Sequence, residues 1–118
     1  MSTSFKDLLV WNASMDYVTS IYKITRDFPD SERFGLASQL QRAAVSVPSN
    51  IAEGSGRYFK KEFVHFLYQA GGSLLETFTQ IEIAFKLGYI TDQIRDQLIE
   101  TGEEISKMLN GLIKSLKD

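Results

Sequence analysis

Residues 35–57 read GLASQLQRAAVSVPSNIAEGSGR, and this stretch decides the fold. Leu36, Leu40, Ala44, Val47 and Ile51 recur at steps of three and four, which gives a helix one apolar face. Pro48 falls inside that pattern, where it removes a backbone donor and crowds the preceding turn. Ala43 and Ala44 let a second backbone come close. Ser46, Ser49, Asn50 and Glu53 put polar groups beside the break, and Asn50 is expected to bond a carbonyl that the proline frees. Gly54-Ser55-Gly56 ends the helix. Taken alone, the stretch specifies a buried, proline-containing helix and no chemistry.

Upstream, the spacing predicts a first helix from about Thr3 to Arg26. It carries two apolar seams. One is Leu8, Trp11, Met15, Val18 and Tyr22; the other is Val10, Ala13, Tyr17, Ile21 and Ile24. At about 100° per residue the two lie on nearly opposite sides of the helix. One seam can face a bundle core, and the other then needs a partner outside it. Val10, Tyr17, Ile21 and Ile24 are assigned here to an oligomer interface. Asp27-Phe28-Pro29-Asp30 breaks the helix, since Pro29 pushes Phe28 out of the helical region. Asp30 or Ser31 is expected to cap the second helix, with Glu32 at its positive end.

Downstream, a third helix is predicted from near Phe59 to Leu87. Phe59, Phe63, Leu67, Ala70, Leu74, Phe78, Ile81 and Phe85 form its main face. Val64, Tyr68 and Leu75 form a shoulder wider than one core requires, and they join the candidate interface. Gly71-Gly72 sits mid-helix, at a cost of up to about 1 kcal/mol per glycine. If helices two and three run antiparallel, Ala44 falls opposite Gly71, and Gly72→Leu should overpack that contact. Gly88 ends the helix and Thr91 caps a fourth, whose face is Ile94, Leu98, Ile105, Leu109, Leu112 and Leu116. No strand signal, internal repeat or linker interrupts the series. The expected fold is all-α: an antiparallel up-down-up-down four-helix bundle with a proline in helix two, residues 1–118 forming one domain.

The chain has 118 residues and a formal net charge of −2. Residues 1–61 hold eight basic and six acidic residues, and residues 62–118 hold five and nine. There is no cysteine, hence no disulfide framework and no thiolate metal site. The N-terminus lacks the apolar run of a signal peptide, and no stretch approaches the roughly 18 apolar residues of a membrane span. A cytoplasmic protein with no membrane contact is expected.

Glu62 and His65 have the Glu-x-x-His spacing of di-iron bundles, but such a site needs a second motif and two further glutamates. One histidine and no cysteine also disfavour Ser-His-Asp or Cys-His catalysis, since Ser49 and Ser73 have no evident base. No catalytic residue, metal or cofactor is therefore expected. Arg57-Tyr58-Phe59-Lys60-Lys61 interleaves basic and aromatic residues, as nucleic-acid surfaces do. In a monomer of net negative charge a solvated turn accounts for the same residues, whereas repetition around an oligomer would raise the local potential. Arg42, Arg57, Tyr58, Lys60 and Lys61 are the candidate nucleic-acid contacts. Glu53 and Arg57 are spaced for an i,i+4 ion pair.

At QLQRAAVSVPSNIAEG, followed by GGSLLETFTQIEIAFKLGYI, the chain resembles the 23S rRNA intervening-sequence protein family. The matching positions include Arg42, Ala43, Ala44, Pro48, Asn50, Glu53, Gly54, Gly72 and Glu76. The resemblance implies an antiparallel four-helix bundle that assembles into a pentameric ring. It also implies kinship with the accessory protein of diversity-generating retroelements, which binds a reverse transcriptase and nucleic acid through a basic surface. Where the family usually has a double arginine this chain has Gln41-Arg42, which weakens phosphate attraction. Where it usually has Leu-Glu-Thr-Gln this chain has Thr77-Phe78-Thr79-Gln80. A non-enzymatic, oligomeric interaction module is expected, with nucleic acid or a nucleic-acid enzyme as partner. The alternatives are a protein-binding scaffold, or an enzyme whose site forms between subunits from Arg42, Glu53 and Glu76.

Overall fold

Ser4 opens the described part of the chain, which in this computed structural model covers residues 4–117. The predicted first helix is split in two. Phe5–Asp7 makes a single 3-10 turn, Leu8 is extended, and α1 runs Leu9–Thr25. Asn12 explains the split. Its side-chain amide donates to the carbonyls of Lys6 and Leu8 at 2.9 and 3.0 Å, a local alternative to continuing the helix backwards. The expected start at Thr3 lies outside the described residues.

The second helix also begins later than its capping signals suggest. Asp30–Glu32 forms a separate 3-10 turn, and α2 spans Leu36–Ser55 with Pro48 inside it. Glu32 acts on α2 from a distance: its Oε1 accepts the Leu36 backbone N–H at 3.0 Å. Helix α3 spans Lys60–Lys86 and α4 spans Asp92–Lys117. Between them Gly88 has φ of 79°, the left-handed conformation that stops a helix at little cost to glycine. Thr91 Oγ1 then accepts the Ile94 N–H at 3.2 Å. Among the described residues there is no strand.

Neighbouring helices run antiparallel. Ser46 Oγ bonds Ser73 Oγ at 2.8 Å, and about two turns nearer the α2–α3 connection Gly54 packs on Phe66. Arg95 reaches Glu82, and Lys117 lies over Tyr68. Gln41 Nε2 donates to Thr25 Oγ1 at 2.8 Å across α1 and α2. The elements are packed in the cyclic order α1, α2, α3, α4.

The two seams of α1 are placed the opposite way from the expectation. Val10, Tyr17 and Ile21 are buried inside the subunit, at 5, 1 and 0% exposure, and Ile24 packs against the same core. They are core residues of one chain and not an outward interface. Of the opposite seam, Met15 and Tyr22 are exposed, whereas Trp11 and Val18 are half-buried at the edge of the core. Ser14 and Thr25 share the buried stripe because their hydroxyls bond the Val10 and Ile21 carbonyls of their own helix, at 2.7 and 2.9 Å. A hydroxyl satisfied this way enters a core without an unpaired donor. Tyr17 does the same across the bundle, with Oη 2.9 Å from Thr77 Oγ1. Burial pushes its phenol up to about 12, and the Thr77 hydrogen bond opposes part of that rise.

The expected tight contact at Gly71-Gly72 is absent. A Cβ built on either glycine meets nothing within 4 Å, so Gly72→Leu would not overpack the subunit. The close approach of α2 and α3 is at Gly54, where a Cβ would lie 2.7 Å from Phe66 Cβ and 2.9 Å from Phe63 Cδ1. A second close approach occurs where Gly102 of α4 packs on the Phe78 ring. Phe59 is exposed at the start of α3 instead of opening its core face.

Candidate functional site

The α2–α3 turn gathers four of the five candidate nucleic-acid residues. Arg57 follows the end of α2, Tyr58 and Phe59 lie in the turn, and Lys60 and Lys61 begin α3. Tyr58 is 91% exposed, with its ring edge-on to Phe59 at 4.8 Å. Arg57 is less available than its charge suggests. Its guanidinium pairs with Glu53 at 2.9 Å, as the spacing predicts, and lies 4.8 Å from the Phe66 ring centroid. Lys60 and Lys61 are exposed, at the end of α3 whose free backbone donors favour an anion. Beside them lies a shallow depression lined by Arg57, Lys61, Glu62, His65 and Phe66.

Arg42 stands apart from this turn. It is fifteen positions before Arg57, mostly along one helix, so roughly 22 Å separates them along the axis. It lies instead at the α1–α2 corner, with Arg26 and Arg33 lining the same depression. Sequence spacing hides that cluster, because three arginines at positions 26, 33 and 42 meet only when the α1–α2 connection folds back.

The polar group around Pro48 is structural in its contacts. Asn50 Nδ2 donates to the Ser46 carbonyl at 2.8 Å and to Ser46 Oγ at 2.9 Å. The carbonyl that Pro48 leaves without its helical donor is that of Ala44, four residues back, so Asn50 serves a different acceptor from the one expected. It steadies the Ser46–Ser73 hydroxyl pair that joins α2 to α3. Ala43, Ala44 and Pro48 are buried, and Gly54 is the close-packing glycine described above. Glu76 is exposed and lies 3.4 Å from the Gln80 amide. Arg42 and Glu53 are eleven positions apart on α2, about 16 Å along the axis, so one subunit does not bring Arg42, Glu53 and Glu76 onto one small ligand.

His65 is exposed, with Nε2 3.1 Å from the Gln69 side-chain nitrogen. Among the described residues no three potential ligands cluster as a metal site, and no helix is long and apolar enough to cross a membrane.

Two apolar surfaces are left outside the core. On α3, Tyr68, Gly71, Gly72, Leu75 and Ile83 fall within about a third of the helix circumference, on the side away from the core residues Leu74, Thr77 and Ile81, while the interface candidate Val64 is half-buried against the core. Tyr68 is 55% exposed and Leu75 63%. The second surface is a depression of about 310 Å³ where α1 meets α2, lined by residues that include Trp11, Met15, Val18, Val45 and Pro48. Sequence reading missed this one by assigning the outward seam of α1 to the core.

A pattern of this kind defines a four-helix module with surplus apolar surface. The chain belongs to the 23S rRNA-intervening sequence protein family, whose model matches residues 6–111. Among solved structures it is similar to a protein of unknown function from the S23 ribosomal protein family of Bacteroides thetaiotaomicron. The TM-score is 0.84 and the identity 24%, over 92% of this chain and 98% of that one. At that identity the likeness carries the fold alone. No curated protein matches the chain.

Proposed function

We propose that this chain is a non-enzymatic interaction module that works as a closed ring of identical subunits. One observation carries the reading: an exposed apolar ridge on α3 and an apolar groove between α1 and α2 lie on different faces of the same bundle. A ridge centred on Tyr68 and Leu75 suits a groove floored by Trp11, Val18 and Pro48. Gly71 and Gly72 favour the same pairing, because they let a second helix lie close against α3. Two unlike patches on one subunit pair head to tail, and such contacts close into a ring when the rotation permits. Family resemblance favours five subunits. The non-enzymatic part rests on the fate of the nucleophile candidates: Ser73 bonds Ser46, Ser49 bonds the Val45 carbonyl, and His65 bonds Gln69.

Sedimentation equilibrium tests the assembly. The wild-type chain should have a mass several times 13.4 kDa, and Leu75→Glu should lower it without loss of helicity. A wild-type monomer at tens of micromolar would overturn the reading.

A second reading is favoured by the exposure of Tyr58 beside Lys60 and Lys61. In a ring this turn repeats on one rim, and the rim is proposed to contact nucleic acid weakly, without sequence preference. Contact with about six phosphates gives a log–log salt slope near −5. Changing Arg57, Lys60 and Lys61 to alanine should flatten the slope and leave the assembly intact. Equal binding by the triple variant would reduce this surface to a solvated turn.

A further inference from the structure

The α1–α2 corner carries a second basic feature that belongs neither to the apolar surfaces nor to the α2–α3 turn. A depression of about 560 Å³ opens there, a size common for small-molecule sites. Its floor is built by Thr25, Phe28 and Ala37, all buried, and is fixed by the Gln41–Thr25 hydrogen bond. Its lining includes three arginines, Arg26, Arg33 and Arg42, and one acid, Asp30. Among the described residues none of the three arginines has a carboxylate within ion-pair distance; the arginines that do are Arg57 and Arg95. Glu32, the next acid along the chain, is already held by the Leu36 N–H and the Tyr89 hydroxyl. The lining therefore carries three guanidinium groups against one carboxylate, although residues 26–42 as a whole balance, with Asp27, Asp30 and Glu32 against Arg26, Arg33 and Arg42. Phe34 lies in the same lining, is 90% exposed, and has the Arg33 guanidinium 5.5 Å from its ring centroid.

We propose that this corner binds a nucleoside phosphate. Unpaired guanidinium forks match a phosphate better than a point charge would, since they can offer two parallel donors. An exposed phenyl ring beside them offers a face on which a base can stack, as in single-strand recognition. An inorganic anion alone leaves the ring unused, and a neutral aromatic leaves the arginines unsatisfied. The moiety that uses both is a base joined to a phosphate, either a free nucleotide or the 5′-phosphorylated end of a strand. This site does not depend on self-association and is separate from the α2–α3 turn.

Calorimetric titration of the full chain at low ionic strength tests it, with adenosine 5′-monophosphate, adenosine, inorganic phosphate, and tetra-adenylate with and without a 5′-phosphate. Adenosine monophosphate or the phosphorylated strand should bind at least about fivefold more tightly than phosphate or adenosine. The stronger of the two identifies the source of the ligand. Arg26→Gln with Arg42→Gln should abolish the binding. Phe34→Ala, at a solvent-facing ring, should remove the preference for nucleotide over phosphate and leave the thermal melt unchanged. Saturation by no nucleotide at millimolar concentration would overturn the proposal. So would equal affinity for phosphate and nucleotide, indifference to the arginine changes, or tighter binding of a poly-glutamate peptide than of either nucleotide.

Discussion

Gly54 and Gly72 illustrate how differently two glycines of one helix pair act. At Gly54 an added methyl runs into Phe66 Cβ and Phe63, whose positions are set by the α3 backbone, so Gly54→Ala should cost about 1–3 kcal/mol. At Gly72 the methyl meets open space on a helix, so Gly72→Ala should be neutral or stabilise by up to about 1 kcal/mol. Thermal melts of both changes in a Leu75→Glu background, where assembly does not contribute, should move in these opposite directions. Tyr17 and Glu32 give the two ends of the pH profile. The Tyr17 phenol titrates near 10.0 when unfolded and about 12 when folded. The unfolded chain thus ionises first, and Tyr17's share of stability is present below pH 10 and lost as the pH rises towards 12. Denaturant midpoints measured across that range should fall more steeply for the wild type than for Tyr17→Phe. Glu32 behaves oppositely. The Leu36 N–H, and then the Tyr89 hydroxyl, hold its carboxyl below the ordinary value, so its contribution is present above that value and lost as the pH falls through the lowered one. Glu32→Gln should reduce the acid sensitivity of the melt, and an unchanged acid limb would contradict this role.

At the scale of elements, α3 and α4 were legible in the sequence and α1 was not. Gly88 and Thr91 punctuate the α3–α4 connection by conformations and caps that residue type alone dictates. The buried positions of α4 are apolar or glycine, and those of α3 are apolar apart from Thr77 and Gln80, which lie off the face read from the sequence. In α1 the outward seam is the more hydrophobic in letters, with Trp11 and Met15, whereas the inward one includes Ser14 and Thr25. Burial of those two depends on hydroxyl bonds to carbonyls a turn away, which composition does not reveal. The same reversal changes a mutational expectation. Charged residues at Tyr17 and Ile21 should unfold the subunit, not merely separate subunits, because both are buried within one chain. Loss of the cooperative far-ultraviolet melt in Ile21→Glu is the expected result, against a folded monomer if the residue faced a partner. The basic turn at Arg57 was legible as a contiguous motif. Its partial neutralisation by Glu53 followed from i,i+4 spacing, but the Arg26, Arg33 and Arg42 cluster needed the folded corner.

For the whole molecule, the central claim is that one subunit carries two unlike, complementary surfaces. Leu75→Glu spoils the α3 ridge and keeps the α1–α2 groove, and Met15→Glu does the reverse. Both positions are exposed, so neither change should disturb the subunit fold. Head-to-tail pairing makes each variant alone a monomer, while an equimolar mixture joins the intact groove of one to the intact ridge of the other. The decisive measurement is light scattering on the eluted mixture, compared with each variant alone. A 13.4 kDa species for each variant and a one-to-one dimer for the mixture is the predicted result. A mixture that stays monomeric, or a Met15→Glu variant that dimerises by itself through its ridge, would contradict it.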